Sequence, residues 1–104
     1  MLDKIKEMIM GPSVDYKALL SQGAIILDVR SKGEYAGGHI KGSINIAVDQ
    51  LTGNLNKLKD KNTPIITCCA SGMRSATAKS ILSSHGYKNV HNGGGWSSLQ
   101  QKIS

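Results

Sequence analysis

The chain has no phenylalanine, and its aromatic residues are one tryptophan and three tyrosines. A hydrophobic core therefore has to be built mainly from aliphatic side chains and methionine. The sequence also lacks the interleaved aromatic and basic residues that form the stacking surface of single-strand nucleic-acid binders. The formal net charge of +6 comes mainly from lysines scattered along 104 residues, so we expect attraction of small anions and no nucleic-acid partner.

Long apolar runs are absent as well. Nothing approaches the roughly 20 apolar residues of a membrane span, and charged residues interrupt the N-terminal stretch MLDKIKEMIM, as they would not in an export signal. The two cysteines, Cys68 and Cys69, are neighbours and cannot cross-link distant parts of a fold. These absences predict a reduced, cytoplasmic protein with no membrane partner, which we also expect to be a monomer.

Short apolar runs alternate with helical patterns along the chain. Ser13 is predicted to cap a helix that Gly23 ends, and Val48, Leu51, Leu55 and Leu58 share a helical face that Gly53-Asn54 breaks. Further helices are predicted around residues 1–12, before Gly86 and over 96–103. Strands are predicted at 24–29, 43–47, 64–69 and 89–92. This alternation predicts an α/β fold with a central, mainly parallel sheet.

A candidate site follows the third predicted strand, in ITCCASGMRSATAK (66–79). Successive strand residues face opposite sides, so Cys68 is expected to be a buried apolar residue and Cys69 to be the exposed thiol at the strand end. Small residues and Gly72 allow the next backbone amides to curl around one point, and a helix N-terminus follows. Such a loop binds anions and lowers the pKa of a cysteine at its base. Arg74 is expected at its exposed rim.

The sequence gives less support for other kinds of functional site. The three histidines lie far apart in the chain and form no zinc-binding spacing, so no metal and no cofactor is expected. Gly93–Gly95 lacks the Lys-Ser/Thr of a P-loop and is interpreted as a tight turn. The Cys69 loop alone is compatible with sulfur transfer, which needs little proton movement, and with phosphoryl transfer, which usually needs a general acid.

Three segments together resemble the rhodanese family of single-domain sulfurtransferases: LDVRSKGEYAGGHIKGSINI, CASGMRS and GYKNVHNGGGW. The resemblance runs from about Ser13 to Leu99. It implies a three-layer α/β/α domain over residues 1–104, with 1–12 as a short helical extension. The six-residue loop from Cys69 to Arg74 is similar to the sulfurtransferase pattern, whereas the related phosphatases have a loop one residue longer.

The resemblance also implies residue roles. Cys69 would accept the sulfur as a persulfide, with loop residues binding the substrate and a scaffold beside them. The implied loop residues are Ala70, Ser71, Gly72, Met73, Arg74 and Ser75. The implied scaffold residues are Asp28, Arg30, Glu34 and His39, and burial of Asp28 would require a partner such as Arg30 or His39.

The leading hypothesis is an enzyme that moves a sulfane sulfur from a small anionic donor, such as thiosulfate or a persulfide, to a thiol, protein or cyanide acceptor. Two alternatives remain: a cysteine-dependent phosphatase or arsenate reductase-like enzyme, and a non-catalytic rhodanese-like binding module. The presence of Cys69 within its loop favours the first.

Overall fold

A computed structural model describes residues 14–104 and places a four-stranded parallel sheet at the centre. The strand order is β2-β1-β3-β4, and every neighbouring pair is parallel. The strands are β1 (Ile25–Asp28), β2 (Ile44–Asn45), β3 (Ile65–Cys69) and β4 (Val90–Gly95). The predicted parallel α/β fold is therefore confirmed.

Helices connect the strands as parallel pairing requires. They are α1 (Tyr16–Ser21), α2 (Lys32–Ala36), α3 (Met73–Ser84) and α4 (Trp96–Ile103), with two 3-10 segments at Val48–Gln50 and Thr52–Lys57. Within residues 14–104, no helix has the length and apolar character needed to cross a membrane. The helix predicted for residues 1–12 lies outside the described residues.

The sheet is buried on both faces, which produces three layers. One face carries the larger aliphatic cluster, covered by α3 and the 3-10 segments, with Leu27, Leu51, Ile65 and Leu82 among its fully buried members. The opposite face packs against α1 and α4 and includes Ile26, Ile66, Cys68 and Leu99. Burial on both sides explains why the two central strands, β1 and β3, are nearly continuous apolar runs rather than alternating ones.

Several local predictions need correction. The N-cap of α1 is Asp15, whose Oδ1 accepts from the Ala18 amide at 3.1 Å; the predicted cap, Ser13, lies outside the described residues. The second strand contains only two residues and is shorter than the predicted 43–47. By contrast, Gly23 follows α1 with φ +92°, and Asn54 departs from helical geometry, so the predicted helix end and the predicted break are both confirmed.

The glycine triplet is also different from its prediction, because residues 93–95 continue β4 instead of forming a tight turn. A Cβ on Gly93 would lie 2.8 Å from Ile66 Cγ2, 2.8 Å from the Thr67 carbonyl oxygen and 3.0 Å from Leu99 Cδ2. Glycine therefore allows β4 to approach β3 and α4 closely. The β3–β4 register shifts between Thr67 and Cys69, at the level of this triplet.

Candidate active site

The candidate site lies at the carboxyl end of β3, where parallel α/β sheets bind their ligands. Cys69 is the last residue of β3, and only residues 70–72 separate it from the first residue of α3. Gly72 has φ +105°, a left-handed conformation that glycine adopts without strain, and an added Cβ would lie 3.4 Å from Gly94 Cα. The loop therefore turns directly into the N-terminus of α3.

The sulfur of Cys69 lies beneath this loop. The Gly72 amide donates to Sγ at 2.9 Å, and the thiol can donate to Ser75 Oγ at 3.5 Å. Burial raises the pKa of the Cys69 thiol, but hydrogen bonds from the Ser75 side chain and the amides of Ser75, Gly72 and Ser71 outweigh it and leave that pKa below its ordinary value. The expected exposure of Cys69 was wrong, since its accessible surface is 0%.

Cys68 faces the other side of the sheet, as alternation predicts. It belongs to the cluster of Ile66 and Leu99, whereas Cys69 belongs to the cluster under α3. Burial, followed by the charge of Asp28, raises the pKa of the Cys68 thiol to about 12. Cys68 is therefore a neutral apolar residue near physiological pH.

Arg74 lies in the first turn of α3 and is about one-third exposed, but it does not extend freely over the loop. Its Nη1 and Nη2 donate to the two carboxylate oxygens of Glu34 at 2.7 and 3.0 Å. Glu34 also accepts from the Ser31 amide and hydroxyl at the N-cap of α2. Arg74, followed by Ser31, lowers the pKa of the Glu34 carboxyl to about 2.

The expected scaffold pair is present at the end of β1. Asp28 and Arg30 are buried and joined by hydrogen bonds of 2.8 to 3.1 Å between the carboxylate and the guanidinium group. Arg30 also donates to the Gly38 carbonyl at 2.7 Å and lies over the Trp96 ring, with Cζ 4.7 Å from its centroid. Arg30 thus links β1, the segment after α2 and α4.

His39 does not join this pair. Its ring is exposed, stacks on Tyr35 with centroids 3.8 Å apart, and has Nδ1 2.7 Å from the Tyr35 carbonyl oxygen. Of the two partners expected for Asp28, Arg30 is the one observed. The remaining loop residues lie at the surface: Ala70 and Ser71 are exposed, and Met73 is 80% exposed.

Sequence reasoning missed two polar residues below the loop. Thr67 donates to the Ser75 carbonyl at 2.9 Å, and Asn92 lies 2.6 Å from Ser75 Oγ. Thr67 of β3 pairs with Asn92 of β4 in the sheet register, so both side chains reach the first turn of α3. Asn92 is the last residue of the strand predicted at 89–92, and a polar side chain at the carboxyl end of a parallel strand is the signal that could have identified it.

A family model for the Rhodanese-like domain matches residues 13–102. The chain belongs to the rhodanese family. It is 37% identical over 70 residues to thiosulfate sulfurtransferase PspE of Escherichia coli, covering 66% of this chain and 67% of that protein. It is 33% identical over 85 residues to thiosulfate sulfurtransferase GlpE of Pseudomonas fluorescens, covering 77% of this chain and 72% of that protein.

Solved structures agree with this assignment to the rhodanese family. A rhodanese from E. coli, solved with anions, superposes with a TM-score of 0.69 at 34% identity and covers 73% of this chain and 91% of its own. The human single-domain sulfurtransferase TSTD1 has a TM-score of 0.71 at 27% identity, covering 89% of this chain and 98% of its own. The resemblance found in the sequence, and the rhodanese-type sulfurtransferase class that it implies, are confirmed.

Proposed function

We propose that this rhodanese domain moves a sulfane sulfur from thiosulfate to an acceptor through a persulfide on Cys69. The observation that carries the proposal is the position of the Cys69 sulfur under the amides of the loop, with the Gly72 amide 2.9 Å away. Amides directed at one point stabilise an anionic sulfur, whether it is a thiolate or the terminal sulfur of a persulfide. Thiosulfate is favoured as donor because PspE and GlpE are named for it.

In the first step, the Cys69 thiolate uses one electron pair to bond to the sulfane sulfur of thiosulfate. The sulfur–sulfur bond of the donor breaks, and its pair leaves with sulfite. The product is a Cys69 persulfide with its negative charge on the terminal sulfur, so charge and electrons balance without an added reductant. No proton has to be transferred, which fits a loop without a general acid.

In the second step, a nucleophilic acceptor attacks the terminal sulfur and Cys69 leaves as a thiolate. A thiol, a protein thiol or cyanide can act as this acceptor. Around the loop, Ala70, Ser71 and Met73 offer small and apolar surface, whereas Arg74 supplies positive charge in the first turn of α3. We propose that the donor is held by the loop amides and attracted by Arg74, while the exposed Met73 contacts the acceptor.

The decisive experiment is mass spectrometry of the reduced protein after incubation with thiosulfate and, separately, with polysulfide. We expect the peptide containing Cys69 to gain the mass of one sulfur atom, and cyanide to remove it. Cys69→Ala is expected to abolish the gain. Cys68→Ala is the matched control, because Cys68 lies on the other face of the sheet and should leave loading intact.

Two results would contradict the proposal. Equal loss of loading in folded Cys68→Ala and Cys69→Ala would mean that both thiols are needed. Absence of loading from either donor would exclude persulfide transfer, provided that the ultraviolet absorbance shows that the Cys69 thiol is present and ionises. Hydrolysis of a phosphate ester that depends on Cys69 would then indicate the phosphatase alternative, and its absence a binding module.

A further inference from the structure

Asn92 on β4 connects the loop, the first turn of α3 and the end of β4 through one carboxamide. Its Oδ1 accepts from the Gly94 amide at 3.0 Å and lies 2.6 Å from Ser75 Oγ, while its Nδ2 donates to the Gly72 carbonyl at 3.3 Å. The Gly94 amide can only donate, so the carboxamide oxygen must face Gly94 and Ser75. The orientation of Asn92 is therefore fixed by the backbone.

The hydroxyl of Ser75 has one hydrogen and three possible acceptors. Asn92 Oδ1 is at 2.6 Å, the Gly72 carbonyl oxygen at 3.0 Å and Cys69 Sγ at 3.5 Å. When Cys69 is a thiol, its hydrogen can point at Ser75 Oγ, and the Ser75 hydrogen then points at Asn92. When Cys69 is a thiolate, the sulfur becomes an acceptor and competes with Asn92 for the same hydrogen.

We propose that Asn92 is a positioning residue that retains the Ser75 hydrogen and thereby favours the sulfur-loaded form of Cys69 over the thiolate. The inference rests on the proposed persulfide function. In the persulfide the negative charge lies on the terminal sulfur and Sγ is nearly neutral, so Sγ no longer competes with Asn92. Loading therefore returns the Ser75 hydrogen to Asn92 by rotation of the hydroxyl, with no proton transferred.

The charged and titratable groups around Cys69 do not include Asn92, so its substitution leaves them in place. Arg74 of α3 is paired with Glu34 of α2, and Asp28 and Arg30 are paired at the end of β1. Tyr87 belongs to the same buried cluster as Cys69, the Cys68 thiol lies on the opposite face of the sheet, and His91 of β4 has Nε2 2.6 Å from Asn89 Oδ1. Asn92 also contacts Gly72 and Gly94, so a Ser75→Ala background is needed to separate the Ser75–Asn92 bond from these two contacts.

The test measures two quantities for Asn92→Ala: the Cys69 pKa, from the ultraviolet absorbance of the thiolate, and the persulfide-to-thiolate ratio at fixed thiosulfate and sulfite. We expect a lower pKa and a ratio reduced about fivefold, the size of one modest hydrogen bond. In a Ser75→Ala background, both effects of Asn92→Ala should vanish, because the contested hydrogen is gone. Asn89→Ala, directly before β4, should change neither quantity.

Asn92→Leu, which keeps the branching and the number of side-chain heavy atoms, is a second variant to test should Asn92→Ala unfold. The unaltered protein offers a further measurement: the NMR signal of the Asn92 carboxamide should shift between thiol and thiolate and return in the persulfide. A pKa change that persists in the Ser75→Ala background, or an unmoved carboxamide signal, would overturn the inference. If wild-type protein forms no persulfide, the proposed function fails instead, and the thiolate titration still reports on Ser75 and Asn92.

Discussion

Arg74 and Glu34, 40 positions apart in the chain, form a two-point ion pair beside the active loop, with nitrogen–oxygen distances of 2.7 and 3.0 Å. The pair joins the first turn of α3 to α2. Because Glu34 also accepts from Ser31 at the N-cap of α2, its carboxylate is held on both sides. We therefore expect any attraction of anions by Arg74 to be weakened, because Glu34 partly neutralises its charge.

We expect Arg74→Ala and Glu34→Gln to change thiosulfate use in opposite directions. Arg74→Ala removes positive charge near the loop and should raise KM for thiosulfate severalfold, with a smaller change in kcat. Glu34→Gln keeps the capping box of α2 but releases Arg74, so KM should fall. Steady-state kinetics at low ionic strength would measure both.

A matched control for this comparison is Lys32→Ala, which removes an exposed positive charge from the same helix as Glu34. We expect KM to change little in this variant. Because the ion pair is exposed, the melting temperatures of both Arg74→Ala and Glu34→Gln should also change little. A fall in melting temperature without a change in KM would instead make the pair a purely structural contact.

The two thiols should titrate in separate pH ranges. Hydrogen bonds from Ser75 and the loop amides lower the Cys69 pKa. Its thiolate should therefore form at a lower pH than that of an ordinary thiol, whose pKa is about 8.5. Cys68, with a pKa of about 12, should stay protonated. The ultraviolet absorbance of the thiolate would show one step below the pKa of an ordinary thiol, and Cys69→Ala should remove it.

The same shift has a consequence for folding. Since the folded-state pKa of Cys69 is lowered, the thiolate contributes stability above the pKa of the unfolded thiol, and this contribution is lost as pH falls through the folded value. Urea unfolding of wild type and Cys69→Ala at several pH values should show it. A titration midpoint of Cys69 at or above the pKa of an ordinary thiol would contradict both expectations.

The sequence predicted the parts of this fold that depend on contiguous residues. The strands around Ile26 and Ile66 are short apolar runs between polar turns, and burial on both faces of a parallel sheet requires that pattern. Cys69 and its loop could be located because the cysteine, the small residues and the helix start follow one another in the chain. The opposite facing of Cys68 and Cys69 follows from strand alternation alone.

Other features depended on contacts between distant segments. The Arg74–Glu34 pair and the Ser75–Asn92 contact arise from the docking of α3 on α2 and β4, which local patterns do not encode. Cys69 is buried because the loop folds over it. Gly93 extends a strand against its local turn preference, since close packing against β3 and α4 decides its conformation.

The Asp28–Arg30 pair should dominate stability at the end of β1. Asp28→Ala leaves the buried Arg30 guanidinium without its counter-charge, and we expect the free energy of unfolding to fall by about 3–5 kcal/mol. Arg30→Lys should also destabilise, because an ammonium group cannot reproduce the contacts to Asp28, Gly38 and the Trp96 ring. Urea denaturation of both variants would measure this, and losses below 1 kcal/mol would show that the pair behaves like a surface contact.

The close approach at Gly93 provides a final prediction. In Gly93→Ala, the new Cβ would lie 2.8 Å from both Ile66 Cγ2 and the Thr67 carbonyl oxygen, so β4 must move away from β3. We expect a loss of about 1–3 kcal/mol in the free energy of unfolding. The persulfide-to-thiolate ratio should fall as well, because β4 carries Asn92. Gly33→Ala is the matched control: its Cβ would meet nothing within 4 Å, and alanine in α2 should be neutral or stabilising. Equal stability of the two variants in urea would show that β4 can shift freely and that glycine is not required at position 93.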